Sequence, residues 1–128
     1  MNQVLERVLY VEDNADLRAV GTFALEDIGG LTVKACASGN EALEAAELFD
    51  PQLILLDVMM PEMDGPATLM ALRSVGHAAQ TPVVFLTAKA QPDEIARYRE
   101  MGAAGVITKP FDPMTLGALV REIYEKAG

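Results

Sequence analysis

Leu53-Ile54-Leu55-Leu56-Asp57-Val58-Met59-Met60-Pro61 is an apolar run of strand length that ends on a carboxylate. Three other runs end in a similar way. Val8-Leu9-Tyr10-Val11 leads into Glu12-Asp13, Val83-Val84-Phe85-Leu86 into Thr87, and the shorter Val106-Ile107 is followed two residues later by Lys109. If these strands lie parallel in one sheet, three carboxylates, a hydroxyl and an ammonium meet at one edge. Open α/β sheets place their chemistry there, outside the carboxyl ends of the strands.

The rest of the chain supports a parallel sheet. Apolar segments alternate with helix-period segments five times, which predicts strands over about 7–12, 31–36, 52–57, 82–87 and 104–108. Helices are predicted over about 14–28, 39–49, 64–75, 92–101 and 112–126, the first with Leu17, Val20, Ala24 and Ile28 on one face. Ser38-Gly39-Asn40-Glu41 fits a capping box. Asp64-Gly65-Pro66, Gln91-Pro92 and Asp112-Pro113 each place a polar residue before a proline suited to a first helical turn. Strict β-α alternation implies right-handed crossovers and helices on both faces of the sheet. Strands one, three and four are continuously apolar and belong in the middle. The alternating Thr32-Val33-Lys34-Ala35 and the short fifth strand suit edges. The expected fold is α/β and flavodoxin-like, a (βα)5 doubly wound parallel sheet of order 2-1-3-4-5.

At 128 residues the chain fits one domain, residues 1–128, with no stretch that reads as a linker. No apolar run approaches the roughly 20 residues needed to span a bilayer, and the beginning lacks a signal-peptide layout. The single cysteine, Cys36, excludes an internal disulfide and reads as a small buried hydrophobe. The cytoplasm is therefore the expected compartment. A net charge of −9 argues against nucleic acid and anionic membranes as direct partners. Most of the nineteen acids serve solubility, whereas Glu12, Asp13 and Asp57 stand where solvating charge is not needed. His77, in a polar loop, reads as surface, and among the methionines Met70 reads as core while Met59, Met60 and Met63 line the rim of the site.

The converging charges dictate what can bind. Two carboxylates 4 Å apart repel by roughly 4 kcal/mol at an effective dielectric of about 20. Lys109 offsets one charge of three, which leaves room for a divalent cation. The donors are all oxygens: Asp13, Asp57 and a nearby backbone carbonyl, with Glu12 acting through water. That incomplete set suits Mg²⁺ better than Ca²⁺. A carboxylate beside such an ion and a lysine can attack phosphorus and become an acyl phosphate. Lys109 and the Thr87 hydroxyl can then each take an equatorial oxygen.

Four blocks, Val8-Leu9-Tyr10-Val11-Glu12-Asp13-Asn14, Leu55 through Gly65 around Asp57, Leu86-Thr87-Ala88 and Thr108-Lys109-Pro110-Phe111, resemble the receiver domain of two-component response regulators. The resemblance runs in order over nearly the whole chain. A chemotaxis receiver is itself the standard example of the strand order given above, so that order is in part what the resemblance implies. It implies a phosphoaspartate switch: phosphotransfer to Asp57 from a histidine kinase or histidine phosphotransfer protein, controlling a downstream protein or a fused output domain. It further implies Mg²⁺, or Mn²⁺ in its place, at Glu12, Asp13, Asp57 and the Met59 carbonyl. Thr87 and Lys109 are implied to contact the phosphoryl group, and the Lys109-Pro110 bond to be cis. Such a protein catalyses its own phosphorylation and slow dephosphorylation and is not a turnover enzyme.

Taken singly, each residue has a plainer explanation. Asp13 suits an N-cap, as do Asn14 and Asp16; Thr87 suits a strand; Lys109 suits a solvated loop. Three departures from the family pattern stand out. Val106 replaces the aromatic that many receivers carry in strand five, Met59 and Lys89 lie two residues beyond Asp57 and Thr87, and the fifth strand lacks the Asp-Asp-Tyr pattern of receivers fused to winged-helix factors. Three competing functions fit the residues less well. A phosphatase resembling the haloacid dehalogenases needs a second aspartate where Met59 stands. A flavin module needs a phosphate-binding loop where Glu12-Asp13-Asn14-Ala15-Asp16 stands. A degenerate receiver would lack site residues that are all present here.

Overall fold

The computed structural model describes residues 3–75 and 78–127; His77, expected at the surface, lies outside them. Five parallel strands form one sheet in the order β2-β1-β3-β4-β5. They are β1 (Arg7–Val11), β2 (Thr32–Cys36), β3 (Leu53–Asp57), β4 (Val83–Thr87) and β5 (Gly105–Thr108), alternating with α1 (Ala15–Phe23), α2 (Gly39–Phe49), α3 (Gly65–Arg73), α4 (Pro92–Glu100) and α5 (Leu116–Ala127). The two strands with half-exposed patterns are the edges, and β3 and β4 are buried throughout.

Period-two alternation divides the core into two layers. Leu9, Val11, Ile54, Leu56, Val83 and Phe85 face one layer with α2, α3 and α4, where Tyr98 packs edge-on against Phe85 at 5.1 Å. Val8, Tyr10, Leu53, Leu55, Val84 and Leu86 face the other with Leu25, Leu116 and Val120. Leu53 to Leu56 are all fully buried, two toward each layer. Burial of such a side chain stabilises by about 1.5–3 kcal/mol, so the central strand is anchored on both faces up to Asp57.

Cap chemistry explains where the helices begin. Asn14, not Asp13, caps α1, its Oδ1 accepting from the Leu17 N–H at 2.9 Å, which leaves Asp13 for other work. Ser38 Oγ accepts from the Glu41 N–H at 3.1 Å, and Glu41 reaches back to the Ala37 N–H rather than to Ser38. Asp64 caps α3 through the Ala67 N–H at 2.9 Å.

Four expectations need correction. Helix one does not continue uniformly, because Ala24–Ile28 widens into a π-helical stretch. The face it buries is Gly21, Ala24 and Leu25, while Val20 and Ile28 are exposed. Gly29, after that stretch, meets Gly117 of α5 so closely that a Cβ on Gly117 would lie 3.0 Å from the Gly29 Cα. Arg121 fastens the contact, donating to the Gly29 carbonyl at 2.6 Å. Second, α5 starts at Leu116 rather than 112, since Asp112 first folds a turn by accepting from the Met114 N–H at 2.9 Å. Third, Met70 is 73% exposed on α3. Fourth, Met60 lies in the core instead of on the rim.

Candidate functional site

Strand register brings the site together. Val11 pairs with Leu56, so the next residues, Glu12 and Asp57, stand side by side. Asp57 pairs with Leu86, which puts Thr87 one step beyond the aspartate. Thr87 pairs with Thr108 and accepts the Lys109 N–H on its carbonyl at 2.8 Å. The carboxyl ends of four strands thus deliver Glu12, Asp57, Thr87 and Lys109 to one edge, and Asp13 follows Glu12 into the loop. The Lys109-Pro110 peptide is cis, as the resemblance implied.

The charges are arranged tightly. Lys109 Nζ lies 2.9 Å from Glu12 Oε1 and 2.9 Å from Asp57 Oδ1, donating a hydrogen bond to the latter. Glu12 and Asp57 are 1% and 2% exposed, whereas Asp13 is open to solvent. One carboxylate oxygen from each of Glu12, Asp13 and Asp57 lies within 4.8 Å of the others. Burial pushes the Asp57 carboxyl up to about 7; the Lys109 hydrogen bond opposes that rise and the Glu12 carboxylate adds to it. Burial alone would lower the Lys109 ammonium, but its Glu12 and Asp57 partners outweigh this and hold it above its usual value. Beneath the cluster, Tyr10 donates its hydroxyl to the Leu17 carbonyl at 3.2 Å. Burial first, then Glu12 and Asp57, push that phenol well up. Cys36 is buried, and its thiol is raised to about 11 by burial, so it is inert core.

These residues fit a small divalent cation. All the side-chain donors are hard oxygens, as Mg²⁺ prefers. Glu12 Oε1 is buried and, among the described residues, has the Lys109 ammonium at 2.9 Å but no well-aligned hydrogen bond, so it keeps acceptor capacity for a water held by a cation. The Met59 N–H turns back to Asp57 Oδ1 at 3.4 Å, which brings the Met59 peptide over the end of β3. Its side chain is 67% exposed at the mouth. Thr87 is buried, with Oγ1 accepting from the Lys89 N–H at 3.0 Å.

Two supports escaped the sequence reading. Gly65 approaches the aspartate's backbone so closely that a Cβ there would sit 2.8 Å from the Asp57 carbonyl oxygen. Arg18 donates from one guanidinium nitrogen to the Glu12 carbonyl at 2.8 Å and to the Asp13 carbonyl at 3.4 Å. A cation in the opening turns of a helix runs against the helix dipole, and that was the available signal for Arg18.

The chain is similar to known proteins in sequence and in fold. The family described as response regulator receiver domain matches residues 8–121. Response regulator Rre1 of Synechocystis is 34% identical over 93% of this chain, and CseB, a transcriptional regulatory protein of Streptomyces avermitilis, is 36% identical over 94%. The chain spans about half the length of these relatives, 52% and 50%. Among solved structures, chemotaxis protein CheY4 of Vibrio cholerae superposes with a TM-score of 0.86 at 32% identity, over 93% of this chain and 98% of CheY4. The receiver domain of a histidine kinase from Syntrophus aciditrophicus gives 0.80 at 32%, over 94% and 91% of the two chains. Receivers are signalling switches rather than turnover enzymes. Strand order, register-built acidic edge and sequence all lead to one assignment: the chain belongs to the receiver family of two-component response regulators.

Proposed function

We propose that the chain accepts one phosphoryl group on Asp57 from the phosphohistidine of a sensor kinase or phosphotransfer protein, in a Mg²⁺-dependent reaction, and switches a partner or fused output domain in the cytoplasm. One observation carries this reading. Asp57 ends a fully buried central strand with an ammonium at 2.9 Å and two further carboxylates beside it.

In the transfer, a carboxylate oxygen of Asp57 attacks phosphorus, a P–O bond forms and the P–N bond to imidazole breaks. The P–N electron pair returns to the ring, and the imidazole leaves neutral, keeping the proton already carried on its other nitrogen. Lys109 is held by Glu12 and Asp57 and shifts its ion pair to the incoming phosphoryl oxygens. The Thr87 hydroxyl can donate to another oxygen while still accepting from the Lys89 amide. Asp13 and Asp57, the Met59 carbonyl, and Glu12 through water are the groups that would hold Mg²⁺, with Mn²⁺ as a substitute. The ion, when bound, offsets the negative charge that gathers between carboxylates and phosphoryl group.

The test is intact mass after incubation with acetyl phosphate or phosphoramidate. A single phosphoryl addition is expected with Mg²⁺ and not with EDTA, removable by base or hydroxylamine. If Asp57→Asn acquires the same addition, the phosphoacceptor assignment is wrong.

A further inference from the structure

Arg18 occupies a position that helix electrostatics do not favour. It lies one turn into α1, whose N-terminal end carries positive partial charge and prefers acids. Its backbone N–H is already used, donating to the Asn14 carbonyl at 2.8 Å. Its guanidinium bends back past the cap, and one nitrogen reaches the carbonyls of both Glu12 and Asp13, at 2.8 and 3.4 Å. Both acceptors are peptide oxygens, so no carboxylate oxygen of the acidic cluster is consumed.

That contact fixes two consecutive peptide planes, one on each side of the Asp13 Cα. The direction of the Asp13 side chain follows from those planes. Glu12 has anchors of its own: its N–H donates to the Cys36 carbonyl at 2.9 Å, its Oε2 accepts the Asn14 N–H at 3.2 Å, and its Oε1 faces Lys109. Asp13 sits exposed at the start of the loop. We propose that Arg18 is a positioning residue, holding the Glu12–Asp13 backbone so that Asp13 meets the cation together with Asp57. The inference rests on the receiver function proposed above.

The sign of the effect separates this role from a purely electrostatic one. A positive charge near the site repels a cation, so if charge were all that mattered, removing it would tighten Mg²⁺ binding. Mg²⁺ demands near-ideal octahedral geometry, and loss of a group that orients metal ligands costs roughly 10–100-fold in affinity. Positioning therefore predicts weaker binding on removal.

Calorimetric titration with Mg²⁺ alone, at constant ionic strength, tests it on the wild type, Arg18→Ala and Arg18→Lys. Arg18→Ala should bind roughly tenfold more weakly, and Arg18→Lys, which keeps a charged donor, should fall between. Phosphorylation by acetyl phosphate should slow by the same factor at low Mg²⁺ and recover at saturating Mg²⁺, a split that general loosening of the fold does not produce. If Arg18→Ala does not fold in EDTA, Arg18→Lys against the wild type decides the matter in the same titration. Affinity within twofold of wild type, or tighter, in the folded variants overturns the proposal. A wild type that binds no Mg²⁺ overturns the receiver reading itself.

Discussion

Asp57 and Glu12 share a single ammonium in a nearly closed site, while Asp13 stands outside in water. The three acids are therefore not equivalent toward a cation. Glu12 is already committed to Lys109, and Mg²⁺ retains several waters and takes few direct protein ligands. Asp13→Asn and Asp57→Asn should each weaken Mg²⁺ binding by roughly tenfold or more, and Glu12→Gln by less. Equal losses in all three titrations would contradict these ligand roles. Met59 bears on a different expectation, the lifetime of the phosphoryl group in the proposed function. Its exposed thioether offers no polar group to orient water beside Asp57, so Met59→Asn should speed loss of the phosphoryl group. Decay followed by intact mass reads this directly, and an unchanged half-life would show that water reaches the bond from elsewhere. At this scale the acids and Lys109 were legible because charge at the end of an apolar strand is costly without a purpose. Met70 was not, since a methionine at helical spacing carries no sign of which way α3 is rolled. The Thr87 hydroxyl's tie to Lys89 depends on a loop conformation that no residue pattern announces.

Among the elements, β4 and its following loop are best placed to carry a signal. In the proposed function, phosphorylation would add charge and acceptor oxygens beside Thr87, a local event that would bias whatever the hydroxyl is attached to. That hydroxyl is tied to Lys89, and the loop runs straight into α4, whose Tyr98 packs on Phe85 of β4. Strand five offers a poorer path. Val106 is small, has a restricted χ1, and borders an open groove of about 520 Å³ between β5, Arg99 and Ile123. Amide exchange on beryllofluoride addition should change most at residues 88–95 and little at 104–108 or in α5. The reverse distribution would show that the signal leaves through β5. The turn after β3 makes a second claim on function. Gly65→Ala would press a Cβ to 2.8 Å from the Asp57 carbonyl and the Val58 Cα. Overpacking of this kind costs about 1–3 kcal/mol, and because the displaced backbone is that of Asp57, slower phosphorylation should accompany the lower Tm. Strand order and most helix starts could be read beforehand from burial pattern and cap chemistry. The π-helical stretch could not, because it answers to the Gly29–Gly117 contact and Arg121, which join segments far apart in sequence.

For the molecule as a whole, the crowded carboxylates make stability depend on pH and metal together. The Asp57 carboxyl is raised from 3.8 to about 7 in the metal-free fold, so the folded chain keeps a proton that the unfolded chain releases between those values. Stability from this group then falls as pH climbs from about 4 to about 7 and levels off above. Lys109 behaves differently. Its raised ammonium contributes fully below the ordinary 10.5 and declines only above it, so it leaves this window untouched. With about 1.4 kcal/mol per pKa unit, the loss is on the order of 2–4 kcal/mol, or several degrees of Tm. Scanning calorimetry in EDTA should therefore show the wild-type Tm falling from pH 5.5 to 7.5. Asp57→Asn, with nothing to titrate there, should change less and stand above the wild type at pH 7.5. Because a cation takes the ionised carboxylate, a fixed Mg²⁺ concentration should raise the wild-type Tm more at pH 7.5 than at 5.5. A wild-type Tm in EDTA that instead rises across this range in parallel with Asp57→Asn would mean that Asp57 is ionised throughout. Lys109 would then balance both buried carboxylates without help from a proton.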